Sequence, residues 1–301
     1  MKFAHFASNG RFGLGMLHSG ALQGLLADDP HYPDSLDGLI ATGAPSLESV
    51  GATLREHGRP FAVDAVEFLP PLATPGKIVC VGLNYADHAA ESGLPSAAHP
   101  VLFARFHTSL IGHGQALVRP RASTQLDYEG ELVAIIGRRG RHIAESDALA
   151  HVIAYSIFND ASVRDYQLRT SQWTAGKNFD ATGAFGPYLT LASALPAGAR
   201  GLSLETRLNG ELLQSASTSQ MIFSVAKLIS LLSEFMTLEP GDILVTGTPS
   251  GVGFVRTPPI FMQPGDVCEV SIEGIGTLRN PVRDEEPSTA RTHWSAAEIV
   301  P

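Results

Sequence analysis

The segment from Asp127 to Gly137 constrains this 301-residue chain more than any other. It begins with three carboxylates, those of Asp127, Glu129 and Glu131, and continues as an apolar run that ends at Gly137. Read as a β-strand, it places Glu129 and Glu131 on one face with their Cα atoms roughly 6.5–7 Å apart, because side chains alternate along a strand. Two carboxylates at this spacing raise each other's pKa unless a cation lies between them. The pair therefore predicts either a site for an oxygen-preferring ion such as Mg²⁺, Mn²⁺ or Ca²⁺, or an acidic strand start in solvent.

Charge and cysteine content exclude several classes of function. The net charge of −9 argues against nucleic acid and anionic membranes as partners, although a bound metal or an arginine can still attract a small anionic substrate. Two cysteines without a CxxC motif fit a reducing compartment. The N-terminus lacks the apolar core of a signal peptide, and no apolar run approaches 18 residues. We therefore expect a soluble, unexported, cytoplasmic protein.

The chain divides near a proline-rich stretch at 70–76, which predicts a small β-rich N-terminal domain at 1–72 and a main domain at 73–301. In the first domain Ser46 can cap a short helix that ends at Gly58. Most other segments are short apolar runs between turn signals, so we expect an α+β fold that is mostly β. The polar C-terminal residues, about fifteen in number, predict a tail or an arm onto a second subunit.

A histidine and a glutamate follow the first buried strand of the main domain. His88 and Glu91 are neighbours on one face if the segment is helical. A carboxylate beside an imidazole fixes its tautomer and raises its basicity, which suits a general base, but an exposed helical pair has the same spacing. The following stretch of small residues, 92–100, is a candidate mobile lid.

Further polar groups come later in the chain. Asp160 ends an apolar run and is a candidate third oxygen ligand, or a helix cap. Arg164 and Gln167 fall on one face if a helix follows, where the arginine could bind a substrate carboxylate. Lys177 could place a positive charge beside an enolate or remain a surface lysine. Thr248 lies in a glycine-rich loop without a Walker A lysine, where it could hold an anionic group.

Taken together, these motifs resemble the fumarylacetoacetate hydrolase family over roughly residues 75–283, and they occur in that family's order. Each motif alone is weak. The motifs are Gly82-Leu83-Asn84-Tyr85-Ala86-Asp87-His88 with Glu91, Asp127-Tyr128-Glu129-Gly130-Glu131, Asn159-Asp160 with Arg164-Asp165 and Gln167, Gly176-Lys177, Thr246 to Gly253, and Gly274 to Pro281.

The resemblance implies a mixed β-roll or β-sandwich main domain, a homodimer, and one Mg²⁺ or Mn²⁺ per subunit, with Ca²⁺ as a further option. Many relatives carry lysine where this chain has Arg105. By motif position the resemblance implies metal ligands at Glu129, Glu131 and Asp160, a water-activating pair at His88 and Glu91, charge stabilisation by Lys177, and substrate contacts at Arg164, Gln167, Thr248, Arg105 and Tyr85.

The expected reaction is hydrolysis of the C–C bond of an acylpyruvate or similar β-diketo acid to pyruvate and a carboxylic acid, as in acylpyruvases and fumarylpyruvate hydrolases. Decarboxylation of oxaloacetate and isomerisation of a 2-oxo acid need the same apparatus for stabilising an enolate. A member that binds metal without catalysis is a rival from another class. The presence of His88, Glu91 and Lys177 beside three carboxylates argues against it.

Overall fold

The structure is a computed structural model that describes residues 1–43, 46–91 and 98–287. Most of the predicted lid, at 92–97, and the predicted C-terminal arm, at 288–301, lie outside the described residues.

Strands dominate the described residues. They are β1 Lys2–Ser8, β2 Arg11–His18, β3 Ala21–Leu26, β4 Arg59–Ala62, β5 Glu67–Phe68, β6 Ile78–Gly82, β7 Val101–Arg105, β8 Leu110–Ile111, β9 Leu117–Arg119, β10 Leu126–Asp127, β11 Gly130–Ile136, β12 Val152–Asp160, β13 Ser162–Val163, β14 Gly183–Leu191, β15 Ser203–Leu208, β16 Glu211–Ser217, β17 Ile243–Val245, β18 Val267–Ile272 and β19 Gly276–Asp284.

Helices are short. The α-helices are α1 Leu36–Thr42, α2 Leu47–His57, α3 Ala86–Glu91, α4 Arg164–Gln167, α5 Thr174–Lys177 and α6 Val225–Phe235. Short 3₁₀ helices cover His107–Ser109, Glu145–His151, Ala192–Ala194, Ala197–Ala199, Thr218–Gln220 and Gly253–Val255. Among the described residues, no helix is long and apolar enough to cross a membrane.

One large sheet carries the architecture. Its main path runs β4-β3-β2-β1-β14-β12-β11-β17-β6-β7, with β5 paired to β1 and β8 paired to β14. Most neighbouring strands are antiparallel, but β17 and β6 are parallel. A second sheet has the order β16-β15-β18-β19-β9, and β10 pairs with β13. The strand-rich α+β class predicted from the sequence is confirmed.

Strand β11 lies deep in the large sheet and is buried along its whole length. Its side chains alternate between two cores, as the period of a strand requires. Leu132, Ala134 and Ile136 face the core shared with the second sheet and α6. Val133 and Ile135 face the core shared with α1 and α2. The sheet is therefore covered on both faces around the segment that carries Glu129 and Glu131.

The N-terminal region is built into this sheet. Strand β1 pairs with β14, with Phe3 opposite Leu189. The predicted helix after Ser46 is confirmed as α2, because the Ser46 side chain accepts a hydrogen bond from the Ser49 amide and Gly58 forms the C-cap. The division of the chain at residue 72, the homodimer and the cytoplasmic location stay predictions.

Replacing Phe3 with alanine should destabilise the whole fold rather than a separate N-terminal unit. The Phe3 ring is fully buried in a core that strand β1 shares with other strands of the large sheet. Truncating a buried phenylalanine to alanine costs about 3–5 kcal/mol. Chemical denaturation followed by circular dichroism should show one transition at lower denaturant. The control is Phe12→Ala, since that ring is 58 % exposed and its loss should cost within about 0.5 kcal/mol. Two separate transitions in the Phe3 variant would contradict the joint core.

Candidate active site

Pairing of two antiparallel strands brings three carboxylates together. Glu129 immediately precedes β11, Glu131 is its second residue, and Asp160 ends β12. Gly130 lies opposite Asn159 in the ladder, and the Asp160 amide donates to the Glu129 carbonyl at 2.8 Å. Carboxylate oxygens of the three residues lie within 4.8 Å of one another. The start of one strand and the end of its neighbour thus build the cluster.

Lys177 lies among these carboxylates. Its Nζ is 2.6 Å from Glu129 Oε2 and 2.6 Å from Asp160 Oδ2. The lysine ends α5, which packs closely on α4: a Cβ on Gly176 would approach the Gln167 backbone nitrogen to 2.3 Å. Glycine at 176 therefore permits the approach that brings Lys177 into the site.

Arg164 forms a second ion-pair network at the same place. Its Nε donates to Asp127 Oδ2 at 2.9 Å, and its Nη1 lies 2.6 Å from Glu129 Oε1 and 2.8 Å from Gln167 Oε1. The predicted helical turn that places Arg164 and Gln167 together is present as α4. Asp127 also accepts hydrogen bonds from the backbone amides of Gly253 and Phe254, so it links the arginine to the glycine-rich loop.

Burial gives these charges large effects on one another. Burial alone would raise the pKa of Glu129, but the charges of Lys177 and Arg164 outweigh it and lower the value to about 2. Glu131 forms no ion pair within the described residues. Burial, then the charges of Asp160 and Glu129, raise its pKa well above the ordinary carboxylate range, and the opposing effects of Lys177 and the Gly247 amide are smaller. Burial would lower the pKa of Lys177, but Asp160 and Glu129 raise it, so the lysine remains an ammonium.

The cluster fits a divalent cation. Four buried carboxylates, those of Asp127, Glu129, Glu131 and Asp160, meet three buried cations. The cations are Arg105, Arg164 and Lys177. With all four carboxylates ionised, the group would carry one excess negative charge, and the raised pKa of Glu131 shows which carboxylate lacks enough positive charge around it. Hard oxygen donors from three residues are the ligand set that Mg²⁺, Mn²⁺ and Ca²⁺ prefer, and the Lys177 ammonium shows that positive charge is stabilised here.

His88 and Glu91, which the sequence predicts to act together as a general base, are neighbours on α3. His88 is 6 % exposed, and its Nδ1 lies 2.8 Å from Glu91 Oε1. The Gly251 amide donates to both Glu91 oxygens, at 2.9 and 3.1 Å. A Glu91 carboxylate that accepts these bonds places the proton of neutral His88 on Nδ1 and leaves Nε2 as the basic nitrogen.

The glycine-rich loop after β17 supports the cluster from the other side. The Gly247 amide donates to Glu131 Oε2. Gly247 has a φ of +100°, and a Cβ there would also approach Asn84 Cβ to 2.7 Å, so both conformation and space require glycine. Thr248 donates to the Gly130 carbonyl at 3.1 Å and accepts from Gln214 at 2.8 Å. The loop thereby fixes the start of β11.

A cavity of about 320 Å³ opens onto these groups. Of the residues singled out from the sequence, its wall includes His88, Glu129, Glu131, Arg164, Gln167, Lys177 and Thr248. The rest of the wall is largely apolar and includes Phe103, Leu168, Trp173 and Phe254. These four come from three segments of the chain, and nothing in the sequence distinguishes them from core residues. Gly82 leaves room for one of them, since a Cβ there would meet the Trp173 ring at 2.3 Å.

Two predicted substrate contacts lie elsewhere. The Arg105 side chain is fully buried, pairs with Asp160 and is absent from the cavity wall as described. Tyr85 is also buried away from that wall, and in the described part of the chain its hydroxyl has no hydrogen-bond partner. Burial and the charge of Glu131 raise its pKa, so it stays a neutral phenol. Asp127 was noted in the sequence without a role and proves to hold Arg164.

Ion binding should become tighter as pH rises and should release a proton. A carboxylate must be deprotonated to bind a metal, and the raised pKa of Glu131 extends protonation to higher pH than usual. The Mn²⁺ dissociation constant should therefore keep falling with rising pH through the range above the ordinary carboxylate pKa, by up to about tenfold per unit below the Glu131 pKa. Calorimetry in two buffers of different ionisation enthalpy measures the released proton. An affinity that is equal across this range, with no buffer effect, would contradict the raised pKa.

Comparison with known proteins places these features in a family. The family model described as "Fumarylacetoacetate (FAA) hydrolase C-terminal" matches residues 77–283. The human mitochondrial oxaloacetate tautomerase FAHD2A is 38 % identical over 272 residues, which cover 90 % of this chain and 86 % of that protein. The mitochondrial oxaloacetate tautomerase fahd2 of Xenopus laevis is 35 % identical over 288 residues, which cover 94 % of this chain and 90 % of that protein.

Solved structures agree with this placement. A fumarylacetoacetate hydrolase from Exiguobacterium antarcticum superimposes with a TM-score of 0.82 at 39 % identity, covering 95 % of this chain and all of that one. A probable 2-hydroxyhepta-2,4-diene-1,7-dioate isomerase from Mycobacterium abscessus gives a TM-score of 0.77 at 31 % identity with the same coverage.

Proposed function

Because the chain belongs to the fumarylacetoacetate hydrolase family, we propose that it is a divalent-metal-dependent enzyme that interconverts the keto and enol forms of a small 2-oxo acid. The names of its relatives, oxaloacetate tautomerases and a diene-dioate isomerase, make oxaloacetate the first substrate to test. They favour this isomerase alternative over the hydrolase expected from the sequence. The observation that carries the proposal is the buried Glu129, Glu131 and Asp160 cluster beside Lys177 and the His88–Glu91 pair.

Glu129, Glu131 and Asp160 would hold Mg²⁺ or Mn²⁺, with Ca²⁺ as a third ion of the same ligand preference. When bound, such an ion supplies Lewis-acid chemistry, which polarises the 2-oxo group and makes the neighbouring C–H bond more acidic. Arg164, Gln167 and Thr248 line the cavity and would contact the substrate carboxylate. Arg164 and Gln167 are already held by Asp127 and by each other, so they are oriented before substrate arrives.

His88 would move the proton. Its Nε2 removes a proton from C3, the C–H electron pair forms the C2=C3 double bond, and the carbonyl pair becomes negative charge on the 2-oxo oxygen. The Lys177 ammonium, at the cavity wall, would stabilise that charge. Return of the proton to the oxygen gives the enol, and the reverse sequence gives the ketone. Glu91 keeps the imidazole in the tautomer that this step needs.

Hydrolysis of an acylpyruvate is the second candidate, because the same His88–Glu91 pair can activate water. His88 would take a proton from water while the water oxygen bonds to the second carbonyl carbon. The C–C bond then breaks, its electron pair leaves on the pyruvate enolate, and protonation of the enolate carbon completes the reaction. Decarboxylation of oxaloacetate would form the same enolate without the water.

Two variants should separate metal binding from proton transfer. Glu131→Gln removes a proposed ligand and should abolish Mn²⁺ binding and turnover together. His88→Ala should keep the Mn²⁺ dissociation constant within about twofold of the wild type and lower the tautomerisation rate by about 10²–10⁴-fold, the range for a lost general base. Equilibrium binding of Mn²⁺ and the ultraviolet absorbance of the enol measure the two effects.

The substrate panel decides between the reactions. Enol oxaloacetate should convert to the ketone faster than the buffer reaction, with no matching appearance of pyruvate. Pyruvate from oxaloacetate would favour the decarboxylase, and pyruvate from acetylpyruvate would favour the hydrolase. Full tautomerase activity in the His88→Ala variant, or in the wild type after chelation of metal, would contradict the proposal.

A further inference from the structure

We propose that Arg105 is a positioning residue for Asp160. Arg105 fixes one oxygen of the Asp160 carboxylate so that the other oxygen faces the metal position, and Arg105 does not bind substrate. The proposal rests on the proposed role of Asp160 as a metal ligand. It replaces the substrate contact that the sequence motif suggested for Arg105.

The guanidinium of Arg105 is fully engaged inside the protein. Its Nε donates to Asp160 Oδ1, and its Nη2 donates to the Ala161 carbonyl at 2.5 Å. Its Nη1 lies 3.3 Å from the hydroxyl of Ser109 and 3.3 Å from that of Thr182. All three nitrogens therefore have partners within the fold, and those partners come from three different segments of the chain.

Position and burial agree with this assignment. The Arg105 side chain is 0 % exposed and lies at the end of β7, with its guanidinium 5.6 Å from the centre of the Phe158 ring. Phe103, two residues earlier on the same strand, lines the cavity, but Arg105 does not.

The contacts leave Asp160 with two different oxygens. Oδ1 is held by Arg105, and Oδ2 lies 2.6 Å from the Lys177 ammonium at the cluster shared with Glu129. Because Arg105 also holds the Ala161 carbonyl, it fixes the carboxylate and the following peptide together. Asp160 would therefore be held in one orientation before an ion binds. A ligand held in place before binding loses less conformational freedom when the ion binds.

In this chain the role depends on the shape of the arginine side chain as well as on its charge. The planar guanidinium presents donors in fixed directions to a carboxylate, a carbonyl and two hydroxyls, whereas an ammonium is a compact charge on a flexible stem. Arg105→Lys therefore keeps the charge of the site and removes the geometry.

The test measures metal affinity and substrate affinity separately. Arg105→Lys should weaken Mn²⁺ binding by about 10–100-fold, the effect expected when a residue that orients a metal ligand is lost. At saturating Mn²⁺ its KM for oxaloacetate should stay within about threefold of the wild type, and raised Mn²⁺ should restore turnover. Arg11→Lys, an exposed arginine paired with Asp28, is the matched control and should change neither quantity.

A rise in KM with an unchanged Mn²⁺ dissociation constant would overturn the proposal in favour of a substrate contact, and no change in either would also overturn it.

If thermal unfolding shows that Arg105→Lys does not fold, Ser109→Ala with Thr182→Val removes only the Nη1 contacts. That variant should weaken Mn²⁺ binding about threefold or more, and an unchanged affinity would overturn the proposal. If the wild type binds Mn²⁺ but turns over no 2-oxo acid, the proposed function fails while the affinity comparison still decides the role of Arg105.

Discussion

The hydrogen-bonded pairing of β11 with β12 is the constraint on which the site depends. It sets Glu129 and Glu131, at the start of one buried strand, against Asp160, at the end of the next. A shift of one residue in this register would turn every side chain of β11 to the opposite core. The alternation of Leu132, Ala134 and Ile136 with Val133 and Ile135 between two cores therefore holds the acidic cluster in place as well as the sheet.

Burying four carboxylates beside three cations does not serve stability well. Each charge loses its hydration, and apolar residues of similar volume often stabilise a protein at least as much as a buried ion pair. The arrangement is better explained by chemistry. Lys177 and Arg164 keep Glu129 ionised, Arg105 restricts Asp160, and Glu131 is left without a cation of its own. Added positive charge would be stabilised most at Glu131, and a divalent ion would supply it.

Local spacing was enough to predict parts of the fold and site. The caps of α2, the shared face of Glu129 and Glu131, and the i, i+3 pairing of His88 with Glu91 all follow from residues close in sequence.

The position of Arg105 could not be predicted in the same way, because a charged residue on an edge strand has the same pattern whether it faces solvent, substrate or a buried carboxylate. The apolar cavity wall was missed because Phe103, Trp173 and Phe254 meet only in the folded chain. The choice of reaction was not predictable either, since hydrolysis, decarboxylation and tautomerisation all need the same enolate-stabilising groups.

The central claim is that a divalent ion binds between Glu129, Glu131 and Asp160. Crystals grown with Mn²⁺ and measured for anomalous scattering locate the ion directly. The account predicts one strong anomalous peak per subunit within ligand distance of a carboxylate oxygen from each of these three residues, and loss of that peak in crystals of the Glu131→Gln variant. A peak at another position, or a protein saturated with Mn²⁺ that shows no peak at this cluster, would contradict it.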